Sequence, residues 1–171
     1  MNYQIHTFGC KVNTYDTGLL QKRLDKFSPP VQPENASGLP RVHILNTCAV
    51  TAEATKEAVR YVRRLKSRDP FCKVVVTGCA AQVDTEKFAA ESGADLIVAN
   101  SHKGRLEELV DKLLKGGLDG ERVYKDNIFR KLDLEEGGGI ERDHSRSFLK
   151  IQDGCNSFCT YCVIPFARGR S

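Results

Sequence analysis

At 171 residues, 40% of them apolar and 28% charged, the chain is long enough for one full domain and a small extension and has the balance of a soluble globular protein. Its formal charge of +4 admits a nucleic-acid partner without requiring one. No apolar run is long enough to cross a membrane, Met1-Asn2-Tyr3 opens a strand pattern rather than a signal peptide, and seven cysteines without a secretion signal point to a reducing, cytoplasmic setting and to metal rather than disulfides.

In chain order, residues 3–10 predict a strand ending in a tight turn at Gly9-Cys10. Asn13 is placed to cap a helix from about Thr14 to Phe27, with Leu20, Leu24 and Phe27 on one face. Pro29-Pro30 stops it, and residues 31–40 read as a loop. Residues 41–48 predict a second strand ending in Cys48. Thr51 caps the next helix, whose apolar stripe runs through Ala54, Ala58, Val62 and Leu65; its other side carries Lys56, Arg60, Arg63, Arg64 and Lys66 and reads as a solvated face. Residues 73–79, β-branched in the middle, predict a third strand ending in Cys79. A helix from about Val83 to Ser92 follows, then a strand over 95–99 that ends in Asn100. Leu106, Leu109, Val110 and Leu113 form a helical stripe stopped by Gly116-Gly117. Residues 116–146 read as a linker with one edge strand near 121–125, and Phe148 to Ile151 alternate as a strand entering the last segment. The domain boundaries are therefore 1–115, a linker over 116–146, and 147–171 as the start of a further unit.

Four strand–helix alternations predict a parallel α/β sheet with helices on both faces, right-handed crossovers and all carboxyl ends on one edge. Ligands of such sheets bind along that edge. Cys10, Cys48 and Cys79 occupy the same place after three successive strands, so the topology gathers them into one three-thiol site. Gly9 and Gly78 allow the backbone to approach closely there. Cys72 precedes its strand, at the opposite edge, and is expected to be an unliganded thiol. A second trio, Cys155, Cys159 and Cys162, forms a C-x3-C-x2-C run with Tyr161 before its last member. Bacterial ferredoxins and zinc sites use other spacings. Three thiolates on one loop can hold three corners of an iron–sulfur cube and leave one iron open for a small ligand.

The C-x3-C-x-aromatic-C run resembles the signature of radical S-adenosylmethionine enzymes. Together with Thr7–Asn13 (TFGCKVN), Leu45–Thr51 (LNTCAVT) and Val76–Gln82 (VTGCAAQ), it makes the chain resemble the amino-terminal part of a radical S-adenosylmethionine methylthiotransferase. That resemblance implies a flavodoxin-like first domain holding an auxiliary 4Fe–4S cluster through Cys10, Cys48 and Cys79. It implies a second 4Fe–4S cluster on Cys155, Cys159 and Cys162, with Tyr161 beside the adenine of S-adenosylmethionine. The wording around Lys11-Val12 resembles the branch acting on N6-threonylcarbamoyladenosine beside the tRNA anticodon. Relatives act on isopentenyladenosine in tRNA or on a ribosomal-protein aspartate. Also implied are a tRNA anticodon stem-loop as partner, a sulfur donor, and a reducing partner such as flavodoxin. The reaction implied is insertion of sulfur at an inert C2–H carbon through a radical, followed by methylation.

The sequence runs only nine residues past Cys162, and one strand cannot close a barrel, so a fragment without turnover, whose terminal loop holds iron poorly, is expected. Two other readings compete. A stand-alone electron-transfer or cluster-carrier module is disfavoured by Tyr161. A flavin-binding flavodoxin is disfavoured because Gly9-Cys10-Lys11-Val12 lacks the Ser/Thr-rich phosphate loop.

Overall fold

Apolar residues run almost unbroken through the middle strands, the pattern of a sheet covered on both faces. In the computed structural model, which describes residues 2–27, 42–118, 120–131 and 148–171, five strands form one parallel sheet. They are β1 (Tyr3–Thr7), β2 (Val42–Thr47), β3 (Lys73–Gly78), β4 (Leu96–Ala99) and β5 (Val123–Tyr124), adjacent in that order. Val42, Ile44, Val75, Leu96 and Val98 pack under α1 (Lys11–Phe27) and α5 (Leu106–Lys115), through Leu20, Leu24, Leu106, Leu109 and Val110. Leu45, Val74, Val76 and Ile97 face the other way, against Ala58, Val59 and Val62 of α2 (Ala52–Arg68) and Phe88 of α4 (Thr85–Glu91). The fold is the expected flavodoxin-like α/β arrangement.

The crossovers do not all share one hand. α1 and α2 lie on opposite faces, yet both connections advance in the same direction across the sheet. Two such crossovers must have opposite hands, so the right-handed expectation fails for part of the sheet. The carboxyl ends still share an edge, because every pairing is parallel.

Thr51 caps α2 as expected, its side chain accepting from Ala54 N at 3.1 Å. Gly116 closes α5 in the left-handed region, φ 73°, with Gly117 N donating to Lys112 O. One helix starts earlier than expected, and one is not expected at all. α1 begins at Lys11, and Asn13 lies inside it, its amide donating to Phe8 O and Thr47 O rather than capping. The helix expected over about Val83 to Ser92 is α4 (Thr85–Glu91); an unexpected short helix, α3 (Cys79–Val83), precedes it, and Asp84, outside helical geometry at φ −108°, ψ 35°, separates the two.

Residues 148–153 form no strand, contrary to the alternating pattern; Leu149 and Ile151 are exposed. A strand needs a neighbour for its backbone groups, and among the described residues this stretch pairs with none. The chain ends in a short helix, α6 (Ile164–Arg168). The expected loop at 31–40 and linker residues 132–146 lie outside the described residues, whereas residues 128–130 form a 3-10 turn with Ile128 buried against α6. Among the described residues no helix is long and apolar enough to cross a membrane.

His6, His43 and Tyr61 form a side-chain chain on the α2 face. Tyr61 Oη lies 3.0 Å from His6 Nδ1, and His6 Nε2 lies 3.1 Å from His43 Nδ1. Burial, and then the charge of His43, lower the His6 pKa to about 4. Below pH 6.5 the unfolded chain takes up a proton that folded His6 refuses, so this group removes stability as pH falls from 6.5 towards 4. His6→Leu is expected to flatten that part of the acid limb in urea unfolding. An NMR titration of His6 with a midpoint near the ordinary value would contradict the assignment.

Candidate functional site

The register places the first trio. Thr7 pairs with Asn46, and Thr47 pairs with Gly78. Carried forward, Gly9 stands level with Cys48, Cys48 with Cys79, and Cys10 one step further on. Cys48 and Cys79 are each 3% exposed, while Cys10 faces solvent. Two glycines make this edge possible. Gly9, at φ 98°, has no Cβ, and one added there would lie 2.5 Å from Cys48 Sγ. A Cβ on Gly78, at φ 95°, would lie 2.5 Å from both Thr47 N and Thr47 O.

Cys79 opens α3 among polar neighbours. Its sulfur lies 3.9 Å from Asn13 Oδ1 and 3.8 Å from Asn100 Nδ2. Burial pushes the Cys79 thiol up, while the charges of Arg168 and Lys103 pull it back down. Asn100 directly follows β4 as Cys48 follows β2 and Cys79 follows β3. Three buried polar atoms along this edge, Asn46 Oδ1, Thr77 Oγ1 and Asn100 Oδ1, have no hydrogen-bond partner among the described residues.

The second trio sits on a loop whose ends are pinned. Cys155 N donates to Gly169 O at 3.1 Å. Gly154, at φ 74°, runs so close to the other end that an added Cβ would collide with Gly169 O and lie 2.5 Å from Arg170 O. Within the loop, Phe158 adopts φ 46°, and among the described residues no other non-glycine residue has a positive φ. Its ring packs against Phe129 and Phe166, and the Arg170 guanidinium lies 5.2 Å from its centre. That packing holds the left-handed turn between Cys155 and Cys159. A hydrogen bond from the Ser157 amide, 3.5 Å from Cys155 Sγ, lowers the Cys155 pKa. Cys159 is exposed, Cys162 is half-buried, and Tyr161 is 90% exposed, so its ring face is open. Gly154→Ala is expected to unpin the loop, read as faster alkylation of Cys155 and Cys162 by iodoacetamide; unchanged rates would show that the pinch is dispensable.

Between the trios lies a charged cluster with no signature in the sequence pattern. Asp16 Oδ2 accepts from Lys103 Nζ and Arg168 Nη2, both at 2.9 Å, and Asp16 Oδ1 accepts from Lys150 Nζ at 3.0 Å. Asp153 accepts from Arg168 at 2.7 Å and from Lys150 at 3.3 Å. Burial works against the Asp16 carboxylate, but Lys103, Arg168 and Lys150 outweigh it and hold Asp16 well below the usual carboxylate range. Cys72, as expected, lies away from both trios, buried before β3 with its carbonyl accepting from Lys66. All seven cysteines are free thiols.

Known proteins are similar in sequence along nearly the whole chain. A threonylcarbamoyladenosine tRNA methylthiotransferase of Aquifex aeolicus is 35% identical over 99% of the chain and 41% of its own length. A protein of that name from Chlamydia pneumoniae is 35% identical over 99% of the chain and 36% of its length. The tRNA-2-methylthio-N(6)-dimethylallyladenosine synthase of Thermotoga petrophila is 33% identical over 99% of the chain and 37% of its length. The chain thus spans about two fifths of the curated relatives it matches. The model of uncharacterized protein family UPF0004 matches residues 2–99, which hold the sheet and the first cysteine trio, and the chain belongs to that family.

Proposed function

We propose that the chain is part of a tRNA methylthiotransferase whose sheet edge holds an auxiliary 4Fe–4S cluster through Cys10, Cys48 and Cys79. The observation that carries this reading is the placement of the three cysteines at one edge of the sheet, Cys48 level with Cys79 and Cys10 one step beyond. Neighbouring strands stand about 4.8 Å apart, so three successive ends present sulfur over a face wider than a single ion needs. Among the described residues no three His, Cys, Asp or Glu side chains are grouped closely enough to hold a metal ion. An all-thiol donor set suits an iron–sulfur cluster. The bare backbone of Gly9 makes room for the Cys48 side chain at this edge, and the Asn46, Thr77 and Asn100 oxygens there have no partner among the described residues.

Cys155, Cys159 and Cys162 are assigned to a second 4Fe–4S cluster, and the open ring of Tyr161 to the adenine of S-adenosylmethionine. When bound, these groups supply the radical and sulfur chemistry for methylthiolation at C2 of N6-threonylcarbamoyladenosine beside the tRNA anticodon. The chain's own residues hold and orient. Phe158 sets the turn between two of the ligands, Ser157 N stabilises the Cys155 thiolate, and Arg168 neutralises charge beside Cys79. The threonylcarbamoyl branch is preferred over the dimethylallyl branch because its relatives match at up to 35% identity, against up to 33%. A sulfur donor and a reducing partner such as flavodoxin complete the system.

Iron and acid-labile sulfide per chain, measured after anaerobic reconstitution, test the ligand sets. The Cys10/Cys48/Cys79→Ala variant is expected to lose most of the iron, and the Cys155/Cys159/Cys162→Ala variant to keep the sheet-edge cluster. Full iron in the first variant would reduce the strand-end cysteines to core thiols and sink the assignment.

A further inference from the structure

Arg168 stands where the two cysteine sites meet. Its Nη1 donates to Asp153 Oδ1 at 2.7 Å, bridging the two ends of the segment that carries Cys155, Cys159 and Cys162. Its Nη2 donates to Asn13 Oδ1 at 2.8 Å and to Asp16 Oδ2 at 2.9 Å, both on α1. Asn13 Oδ1 is also the atom 3.9 Å from Cys79 Sγ. A second asparagine repeats the arrangement: Asn100 Nδ2 donates to Ala167 O at 2.8 Å while lying 3.8 Å from the same sulfur. Each asparagine thus touches a first-trio cysteine and the segment of the second trio. The Arg168 side chain is 7% exposed, and its neighbours Asp16 and Lys103 are 2% exposed.

We propose that Arg168 is a positioning residue that couples the two cysteine sites, docking the Cys155–Cys162 segment onto α1 and holding its charge beside Cys79, so that loading of the sheet edge and docking of the segment favour one another. The coupling rests on the reading of Cys79 as a cluster ligand; the docking rests on the hydrogen bonds alone. Reciprocity follows from linkage: whatever holds the segment down when the edge is loaded also holds the guest at the edge when the segment is down. The residue type fits the task. A planar guanidinium reaches three acceptors on two elements at once, whereas an ammonium keeps the charge without the fork.

Hydrogen exchange on the iron-free chain tests the docking. Arg168→Ala is expected to speed exchange of the Cys155 and Gly169 amides roughly ten- to hundredfold, the size of losing charge-assisted hydrogen bonds. Arg168→Lys is expected to recover only part of that protection. Unchanged exchange in Arg168→Ala overturns the docking.

The coupling is read in the Cys155/Cys159/Cys162→Ala background, where only the sheet edge can load. There Arg168→Ala is expected to shift the midpoint potential of the remaining cluster to more negative values, because a nearby positive charge favours the reduced form. Arg168→Lys is expected to restore most of the shift, which a purely structural role would not do. Cluster loading is also expected to slow exchange of the segment when Arg168 is present and to leave it unchanged when alanine replaces it. An unmoved potential, or equal slowing in both proteins, overturns the coupling. Failure of the sheet edge to load with Arg168 intact removes the ligand assignment and the coupling with it, while the iron-free exchange still decides the docking.

Discussion

Asp16→Asn is expected to lower the unfolding free energy at pH 7 by about 3–5 kcal/mol, the range for removing one partner of a buried ion cluster. The Asp16 side chain is 2% exposed and serves three cations: Lys103 at 2% exposure, Arg168 at 7% and Lys150 at 9%. Asparagine keeps the volume, so no cavity opens. What disappears is one of the two carboxylates facing three positive charges, and Asp153 cannot replace it because Arg168 and Lys150 already draw on it. The same carboxylate sets an acid limb. Its folded pKa lies well below the unfolded value, so its stabilisation is present above about pH 4 and is lost as pH falls. Asp16→Asn is therefore expected to be destabilised at pH 7 and to show a weaker further loss on acidification. Urea melts at pH 7 and pH 3.5 read both effects. Equal midpoints for wild type and variant at pH 7 would mean that the cluster adds nothing to stability.

Gly78→Ala is the second large effect. At φ 95° and ψ −165° the residue sits in a region essentially reserved for glycine. A Cβ there would lie 2.5 Å from Thr47 N and O and 2.7 Å from Asn46 Oδ1. Two of these atoms are backbone of the neighbouring strand, so no rotamer change can relieve the contact. Backbone strain and forced separation of β2 from β3 together predict a loss of about 3–5 kcal/mol, roughly 10 °C in Tm. Because Gly78 ends β3 and directly precedes Cys79, the variant is also expected to load less iron at the sheet edge. Gly93→Ala is the control. Gly93 also has a positive φ, 76°, but nothing lies within 4 Å of its added Cβ, so only the conformational strain remains and the loss is expected to be smaller. Equal losses in the two variants would assign the effect to φ alone.

Much of the scaffold is written locally in the sequence. The Val74–Val76 run, the Thr51 cap and the Gly116 stop each depend on neighbours a few residues away, and each stands where expected. Parallel pairing then carries local strand ends into a shared edge, which is why Cys10, Cys48 and Cys79 are all expected along it. The charged cluster has no such local signal. Arg168 and Asp16 are 152 positions apart, and each on its own reads as an ordinary solvated charge. Asn13 has the sequence position of a cap; a buried demand from Phe8 O and Thr47 O claims it instead. The alternation at Phe148–Ile151 misleads for the opposite reason, since period two describes a strand only where another backbone is there to pair with. The positive φ of Phe158 has no glycine to announce it, and only the aromatic packing around it explains it.

The pinned base of the cysteine loop closes it into a ring with no bound group needed. With Cys155 N bonded to Gly169 O and Gly154 pressed against Gly169 and Arg170, the ends of the ring cannot drift apart. For the cluster proposed on this loop, closure entropy would then be met by protein folding rather than by metal binding. The three thiols are presented at a high effective concentration, as tethered ligands are, instead of being recruited from a free tail. Residues added within the ring would dilute them, whereas residues added beyond its base would leave their local concentration unchanged.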